Sequence, residues 1–269
     1  MTIQRDKEQA LREILRNLRS VMVAFSGGVD SSLLLYLCHQ ELGDSCIAVT
    51  AKSHSIPERE LEHATAFCRT YNIRQTIITN DEFTIEGFAR NDLDRCYLCK
   101  NALFKKLRAL ADEIGANWIV EGSNIDDEKD FRPGQKAVTE HGVRSPLKEA
   151  CYTKEDIRTL SRELNLSTAE RESFSCLSTR FPYNEPITAE GLARVDKSEQ
   201  FLLDEGLKQL RVRSHGDLAR IETDEEGICA LSDRALRQKV CHALISFGFR
   251  FVSLDLIGYR CGSMNPTRD

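Results

Sequence analysis

The chain has 269 residues, 41% apolar and 29% charged, a globular composition that excludes a disordered polypeptide. No apolar run reaches the roughly 20 residues that span a bilayer, and residues 1–6 carry no apolar signal core, so a cytoplasmic protein without a membrane partner is expected. The formal net charge of −5 argues against a basic nucleic-acid-binding surface.

Residues 7–19 repeat Leu11, Ile14, Leu15 and Leu18 at helical spacing. Residues 21–25 form an apolar strand that Gly27 and Gly28 break. A helix over 30–42 follows, ending at Gly43, and then a second strand over 46–50. Ser55 is read as the cap of a helix reaching about residue 71, with Pro57 near its first turn. A third strand over 73–79 precedes a helix over 96–114 with Leu98, Leu103, Leu107 and Leu110 on one face. Residues 118–120 are a fourth strand, and Thr153 and Asp156 stand at cap spacing for a helix over 153–164. Strands of apolar runs alternating with helices predict a doubly wound, mainly parallel α/β sheet covered on both faces.

The pattern changes near Pro186. A helix over 188–205 leads into strands over 209–213 and 218–222, joined by a hairpin at 214–217. A helix over 231–247 and a strand over 249–256 complete the chain. Two domains are expected: an ATP-binding α/β domain over 1–185 and a smaller α+β domain over 186–269.

The segment after the first strand carries the strongest chemical signal: Ser26-Gly27-Gly28-Val29-Asp30-Ser31-Ser32, between a strand and a helix. The glycines let the backbone approach an anion, and the helix start supplies unpaired N–H groups and the positive end of its dipole. Ser26, Ser31 and Ser32 add hydroxyl donors. Asp30 would repel a phosphate directly, so its role is to hold Mg²⁺ between phosphate oxygens. No Gly-Lys-Ser/Thr follows, so this is not a Walker A loop. The segment resembles the phosphate loop of the ATP pyrophosphatase (PP-loop) superfamily. Its enzymes let a substrate oxygen attack the α-phosphate of ATP and release pyrophosphate.

Of the ten cysteines, Cys38, Cys46, Cys68, Cys229 and Cys241 sit among apolar residues and are expected as packing. Cys96 and Cys99 form Cys-x-x-Cys at a helix start, flanked by Arg95 and Lys100, where thiolate is favoured. Cys176 lies in a polar loop between the two domains. A redox pair, a zinc site, core packing and an iron–sulfur cluster on three cysteines all compete, and spacing alone does not choose among them.

With these residues, the chain resembles the LarE family of PP-loop sulfur transferases. The resemblance rests on the phosphate loop, on residues 127–134 (Asp-Glu-Lys-Asp-Phe-Arg-Pro-Gly) and on Arg180-Phe181-Pro182-Tyr183. It continues through residues 211–215, 219–222 and 254–260, covering nearly the whole chain. It implies that ATP and Mg²⁺ activate a carboxylate of pyridinium-3,5-biscarboxylic acid mononucleotide. A sulfur then attacks the acyl-adenylate, leaving a thiocarboxylate for a nickel-pincer cofactor. By resemblance Cys176 delivers the sulfur, and many members sacrifice that cysteine to dehydroalanine. Cys96 and Cys99 depart from those members and match a branch in which Cys96, Cys99 and Cys176 hold a [4Fe–4S] cluster.

The resemblance also places Glu128 in an acidic active-site segment and points Arg132 at phosphate. Arg211 and Arg213 alternate on one strand face, suited to a substrate phosphate, with Glu199 and Glu222 near that phosphate or a divalent metal. A solvated strand edge is the competing account of the two arginines. A homo-oligomer is implied as well. The nearest competing activity is a PP-loop tRNA thiolase, against which the acidic balance and the missing basic–aromatic stripe both count.

Overall fold

The computed structural model describes residues 2–129, 133–172, 174–260 and 262–264. The chain divides into two compact units, one of Met1–Ile85 and Asp94–Phe174, the other of Glu86–Leu93 and Ser175–Asp269.

The first unit contains α1 (Thr2–Leu18), β1 (Val21–Ala24), α2 (Val29–Leu42), β2 (Cys46–Lys52), α3 (Glu58–Thr70), β3 (Gln75–Thr79), α4 (Arg95–Ile114) and β4 (Trp118–Val120). Three short helices follow: α5 (Gln135–Glu140), α6 (Pro146–Glu149) and α7 (Lys154–Glu163). The strands form one sheet in the order β3-β2-β1-β4, and every pairing is parallel. Arg144 adds a single parallel bridge beside Val120.

The strand period of two sorts side chains onto two faces. Val21, Val23, Cys46, Ala48 and Val120 enter one core with Leu11 and Leu15 of α1, Leu33 and Leu37 of α2, and Ile157 and Leu160 of α7. Met22, Ile47, Val49 and Ile119 enter the other, with Phe104, Leu107 and Ala111 of α4 and Val138 of α5. Leu33, Leu34, Leu35 and Leu37 are all buried because α1 and α7 both pack on α2. The sheet is therefore doubly wound, as the alternation predicts.

The chain runs from β1 through β2 to β3 on one side and places β4 on the other. The topological switch lies between β1 and β4, and ligands of open α/β sheets bind at that crevice, beyond the carboxyl ends of the strands.

The second unit holds α8 (Ala189–Asp204), β5 (Leu210–His215), β6 (Leu218–Thr223), α9 (Glu225–Leu231), α10 (Arg234–Ser246) and β7 (Phe251–Leu254). The expected hairpin is present, with His215 paired to Leu218 across a turn at Gly216, where φ is 57°. β7 adds parallel to β6, making a mixed three-stranded sheet in the order β5-β6-β7.

Three local details differ from the sequence expectation. The helix expected over 231–247 starts later, because Asp233 accepts the Leu236 N–H at 2.8 Å and caps a fresh helix after α9. Ser55 is not a helix cap: α3 has Pro57 at its N-cap position, and the Ser55 hydroxyl donates to the buried carboxylate of Glu82. Cys38, Cys46 and Cys68 are core thiols, as expected, and burial, reinforced by Cys46, pushes the Cys68 thiol up to about 12. Cys229 is exposed on α9 and packs no core.

The unit division falls between Phe174 and Ser175, ahead of the expected boundary at 185/186, and it gathers in residues 86–93. The buried Asn91 explains the grouping, since its side-chain amide donates to the carbonyls of Pro182 at 2.7 Å and Glu185 at 3.0 Å. The Ile187 N–H donates to the Ala89 carbonyl at 2.9 Å. Among the described residues, no helix is long and apolar enough to cross a membrane.

Candidate active site

β1 ends at Ala24 and α2 starts at Val29, so Phe25 to Gly28 turn the chain at the crevice. Gly27 has φ 76°, and an added Cβ would press within 3.2 Å of Ala64 on α3. A side chain here would be strained in backbone and in space alike. Gly28 caps α2 without a side-chain bond, which leaves the first N–H groups of the helix open to an anion. Ser26 Oγ lies 3.0 Å from Ser31 Oγ, and Ser31 Oγ donates to the Gly28 carbonyl at 3.1 Å. Ser32 Oγ is buried with no hydrogen-bond partner. Gly122, just past β4, packs against the same helix start, where a Cβ would come 2.9 Å from the Ser31 nitrogen.

Asp30 Oδ2 accepts from Lys154 Nζ at 2.6 Å, while Asp30 Oδ1 is buried without a hydrogen-bond partner. That orphan oxygen, the bare helix start and the glycine cradle suit a metal-bridged phosphate. The acidic segment is tied to the same place. The Asp126 carboxylate accepts the Lys154 backbone N–H at 2.9 Å, and the Ile125 N–H donates to the Tyr152 carbonyl at 3.1 Å. Asp127 accepts the Asn124 N–H at 3.1 Å, so it closes its own turn. Glu128 belongs to the 3-10 turn Ile125–Lys129, but its side chain, like Arg132 as a whole, lies outside the described residues. Arg171 braces the loop from below: it donates to the Gly27 carbonyl and to the Glu60 carboxylate, each at 2.7 Å.

In the second unit, Arg180 and Glu199 form a fully buried ion pair, with Nε–Oε1 at 2.9 Å and Nη2–Oε2 at 3.1 Å. Burial pushes the Glu199 carboxyl up, but the Arg180 charge, its hydrogen bonds and the Val212 N–H outweigh that and hold it below the ordinary value. Arg180 Nη1 also donates to the Ser175 carbonyl at 2.8 Å and the Cys176 carbonyl at 3.3 Å. The loop that carries Cys176 is therefore shaped by one buried guanidinium. Removing either partner of such a pair costs about 3–5 kcal/mol, because the other charge is left buried and unpaired.

Arg213 is buried too: it holds Glu222 at 2.6 and 2.9 Å and the Thr179 carbonyl at 3.1 Å. Arg211 lies on the Tyr259 ring, 4.9 Å from its centroid, and donates to the Leu210 carbonyl at 2.7 Å. Burial lowers its pKa, and the positive charge of Arg180 lowers it further, with Arg213 a smaller contributor. Glu199 and Glu222 thus each face an arginine. Among the described residues, no three His, Cys, Asp or Glu side chains gather as a metal site.

Residues 4–94 match the family model described as NAD synthase. An uncharacterised protein of Synechocystis sp. is 38% identical over 259 residues, 96% of this chain and 97% of its own. The pyridinium-3,5-bisthiocarboxylic acid mononucleotide synthase of Lactiplantibacillus plantarum is 37% identical over 265 residues, 97% of this chain and 94% of its own. The chain belongs to the LarE family of PP-loop sulfur transferases. An uncharacterised protein of Methanocaldococcus jannaschii, 30% identical over 93% of this chain and 94% of its own, extends the same match.

For a LarE protein, the cysteines are the distinctive part. Cys96 and Cys99 are the second and fifth residues of α4, both half-buried, and Arg95 Nη2 lies 3.6 Å from Cys96 Sγ. Cys176 is half-buried in the second unit, immediately before the 3-10 turn Leu177–Arg180.

Sequence reasoning missed Lys154, Arg171 and Gly122. Lys154 carried one signal: it is a cation in the first turn of a capped helix, where the dipole disfavours it. Gly122, two residues past a strand, was another. Arg171 gave none, since its partners Gly27 and Glu60 lie more than a hundred residues away.

Proposed function

We propose that this LarE protein adenylates a carboxylate of pyridinium-3,5-biscarboxylic acid mononucleotide with ATP and converts it to a thiocarboxylate. The carrying observation is the start of α2: open N–H groups, Asp30 with a buried orphan oxygen, and Lys154 beside it. The name of the Lactiplantibacillus relative supports the substrate. In the proposed reaction the α2 N-terminus and the loop serines hold the phosphates. Asp30 would hold Mg²⁺, whose chemistry is to neutralise and align phosphate oxygens. A substrate carboxylate oxygen attacks the α-phosphorus, and the pair of the α–β bridging bond leaves with pyrophosphate.

Sulfur transfer is assigned to Cys176, with Cys96, Cys99 and Cys176 as the thiolates that would hold a [4Fe–4S] cluster. When bound, the cluster supplies a reactive sulfide. The three thiols support that donor set. Incubation of the full chain with ATP, Mg²⁺ and the mononucleotide is expected to yield pyrophosphate, AMP and a thiocarboxylate. Pyrophosphate without thiocarboxylate, together with a mobility shift on tRNA, would transfer the reading to a tRNA thiolase.

The substrate phosphate is assigned to Arg211 and Arg213, with Arg211 making the direct contact. The like charges of Arg180 and Arg213 around Arg211 are relieved when an anion arrives. Arg211→Ala should raise KM for the mononucleotide roughly ten- to hundredfold, the equivalent of about 1.5–3 kcal/mol for a hydrogen bond to a charged group. KM for ATP should stay within about twofold. Steady-state kinetics with each substrate varied in turn checks the split.

Cytoplasmic residence and self-association complete the reading. Leu256 is 90% exposed and Ile257 70% exposed in the second unit, the kind of apolar surface that a second copy would cover. Light scattering reports the oligomer.

A further inference from the structure

We propose that Lys154 is an exchangeable counter-charge: it holds Asp30 before the metal nucleotide binds, and it stabilises the departing pyrophosphate afterwards. The proposal rests on the adenylation reading above.

The geometry of the loop poses a problem of charge. A carboxylate stands at the mouth of a helix built to receive phosphates. One of its oxygens is neutralised by Lys154 Nζ at 2.6 Å, and the other is buried with no hydrogen-bond partner. Any cation that takes Asp30 must compete with an ammonium already in place. Once displaced, that ammonium remains within reach of whatever the cation carries.

Lys154 is built to do this. Its backbone is held by Asp126, and the helix it opens is fixed by a capping box between Thr153 and Asp156. Asp156 is in turn held by Lys7 at 2.7 Å. The side chain is about a third exposed, so it is anchored at its root and mobile at its tip. Docking of α7 on α2 does not need it, because Ile157 and Leu160 already bury at that core. Its place at a helix N-terminus is electrostatically unfavourable, a cost that a purely structural residue would avoid.

The chemistry requires such a group. As the bond from the α-phosphorus to the bridging oxygen breaks, its electron pair moves onto pyrophosphate. No proton is transferred, so the gathering charge needs a fixed cation or donor. The Lys154 ammonium donates there while Asp30 is engaged by the metal.

The test uses the full chain and Mn²⁺ alone as probe, titrated by electron paramagnetic resonance without nucleotide, beside pyrophosphate release with Mg-ATP and substrate. Lys154→Ala should bind Mn²⁺ about five- to tenfold more tightly, since one competing charge is gone. Asp30→Ala/Lys154→Ala should lose that gain, which places it at Asp30. The kcat for pyrophosphate release should fall about a hundredfold in Lys154→Ala and recover in part in Lys154→Arg. Unchanged or weaker Mn²⁺ binding in Lys154→Ala overturns the exchange, as does a kcat within twofold of a wild type that does release pyrophosphate. A wild type that releases none defeats the adenylation reading instead, and the Mn²⁺ comparison still decides whether Lys154 competes at Asp30.

Discussion

Asp30→Ala will lose Mg²⁺-dependent pyrophosphate release by about a hundredfold or more, the scale of removing a group that aligns charge in the transition state. The fold will survive the change. The ion pair to Lys154 is partly exposed, with a quarter of the Asp30 side chain and a third of the Lys154 side chain accessible, so its loss costs at most about 1 kcal/mol. Far-ultraviolet circular dichroism should therefore match the wild type while a coupled pyrophosphate assay does not. Release at near wild-type rate would mean that the start of α2 does not hold the nucleotide.

Cys96→Ala decides how sulfur is delivered. If Cys96, Cys99 and Cys176 hold a cluster, a reconstituted protein supplied with sulfide should turn over several times and keep its intact mass. Cys96→Ala should then lose multiple turnover altogether. A sacrificial route predicts one sulfur per chain, loss of the mass of hydrogen sulfide from Cys176, and activity indifferent to Cys96. Anaerobic reconstitution followed by intact-protein mass spectrometry separates the two. Cys176→Ala is less useful, because it inactivates under both. Cys96 is half-buried, so its replacement should cost stability by about 1 kcal/mol or less and leave enough folded protein to assay.

Much of this could be read from local pattern. The strand–loop–helix at residues 21–42 was legible because β1 alternates between two cores, and only glycine fits at Gly27. The capping box of α7 was legible because it spans four residues. What escaped was set by distant partners. Ser55 has the look of a helix cap, and only the fold supplies the buried Glu82 that claims its hydroxyl instead. The basic strand residues Arg211 and Arg213 read alike, yet Arg213 is buried against Glu222 while Arg211 lies on Tyr259. Lys154 and Asp30 are 124 residues apart, and no spacing rule reaches that far. The early unit boundary was hidden for the same reason, since it depends on a polar side chain at Asn91 finding carbonyls beyond residue 180.

That arrangement of Asn91 bears on biosynthesis. Its amide waits for a carbonyl 91 residues further along, at Pro182. At ribosomal speeds of about 5–20 residues per second, that interval lasts roughly 5–18 seconds. During it the stretch Glu86–Leu93 is made without the rest of its unit, while the first unit is still being completed through Phe174. The first unit is thus complete in sequence before the second, and a loose thread is left to be tied last. A gene fragment starting at Ser175 would lack that thread, so such a fragment should express poorly unless residues 86–93 are supplied in the same polypeptide.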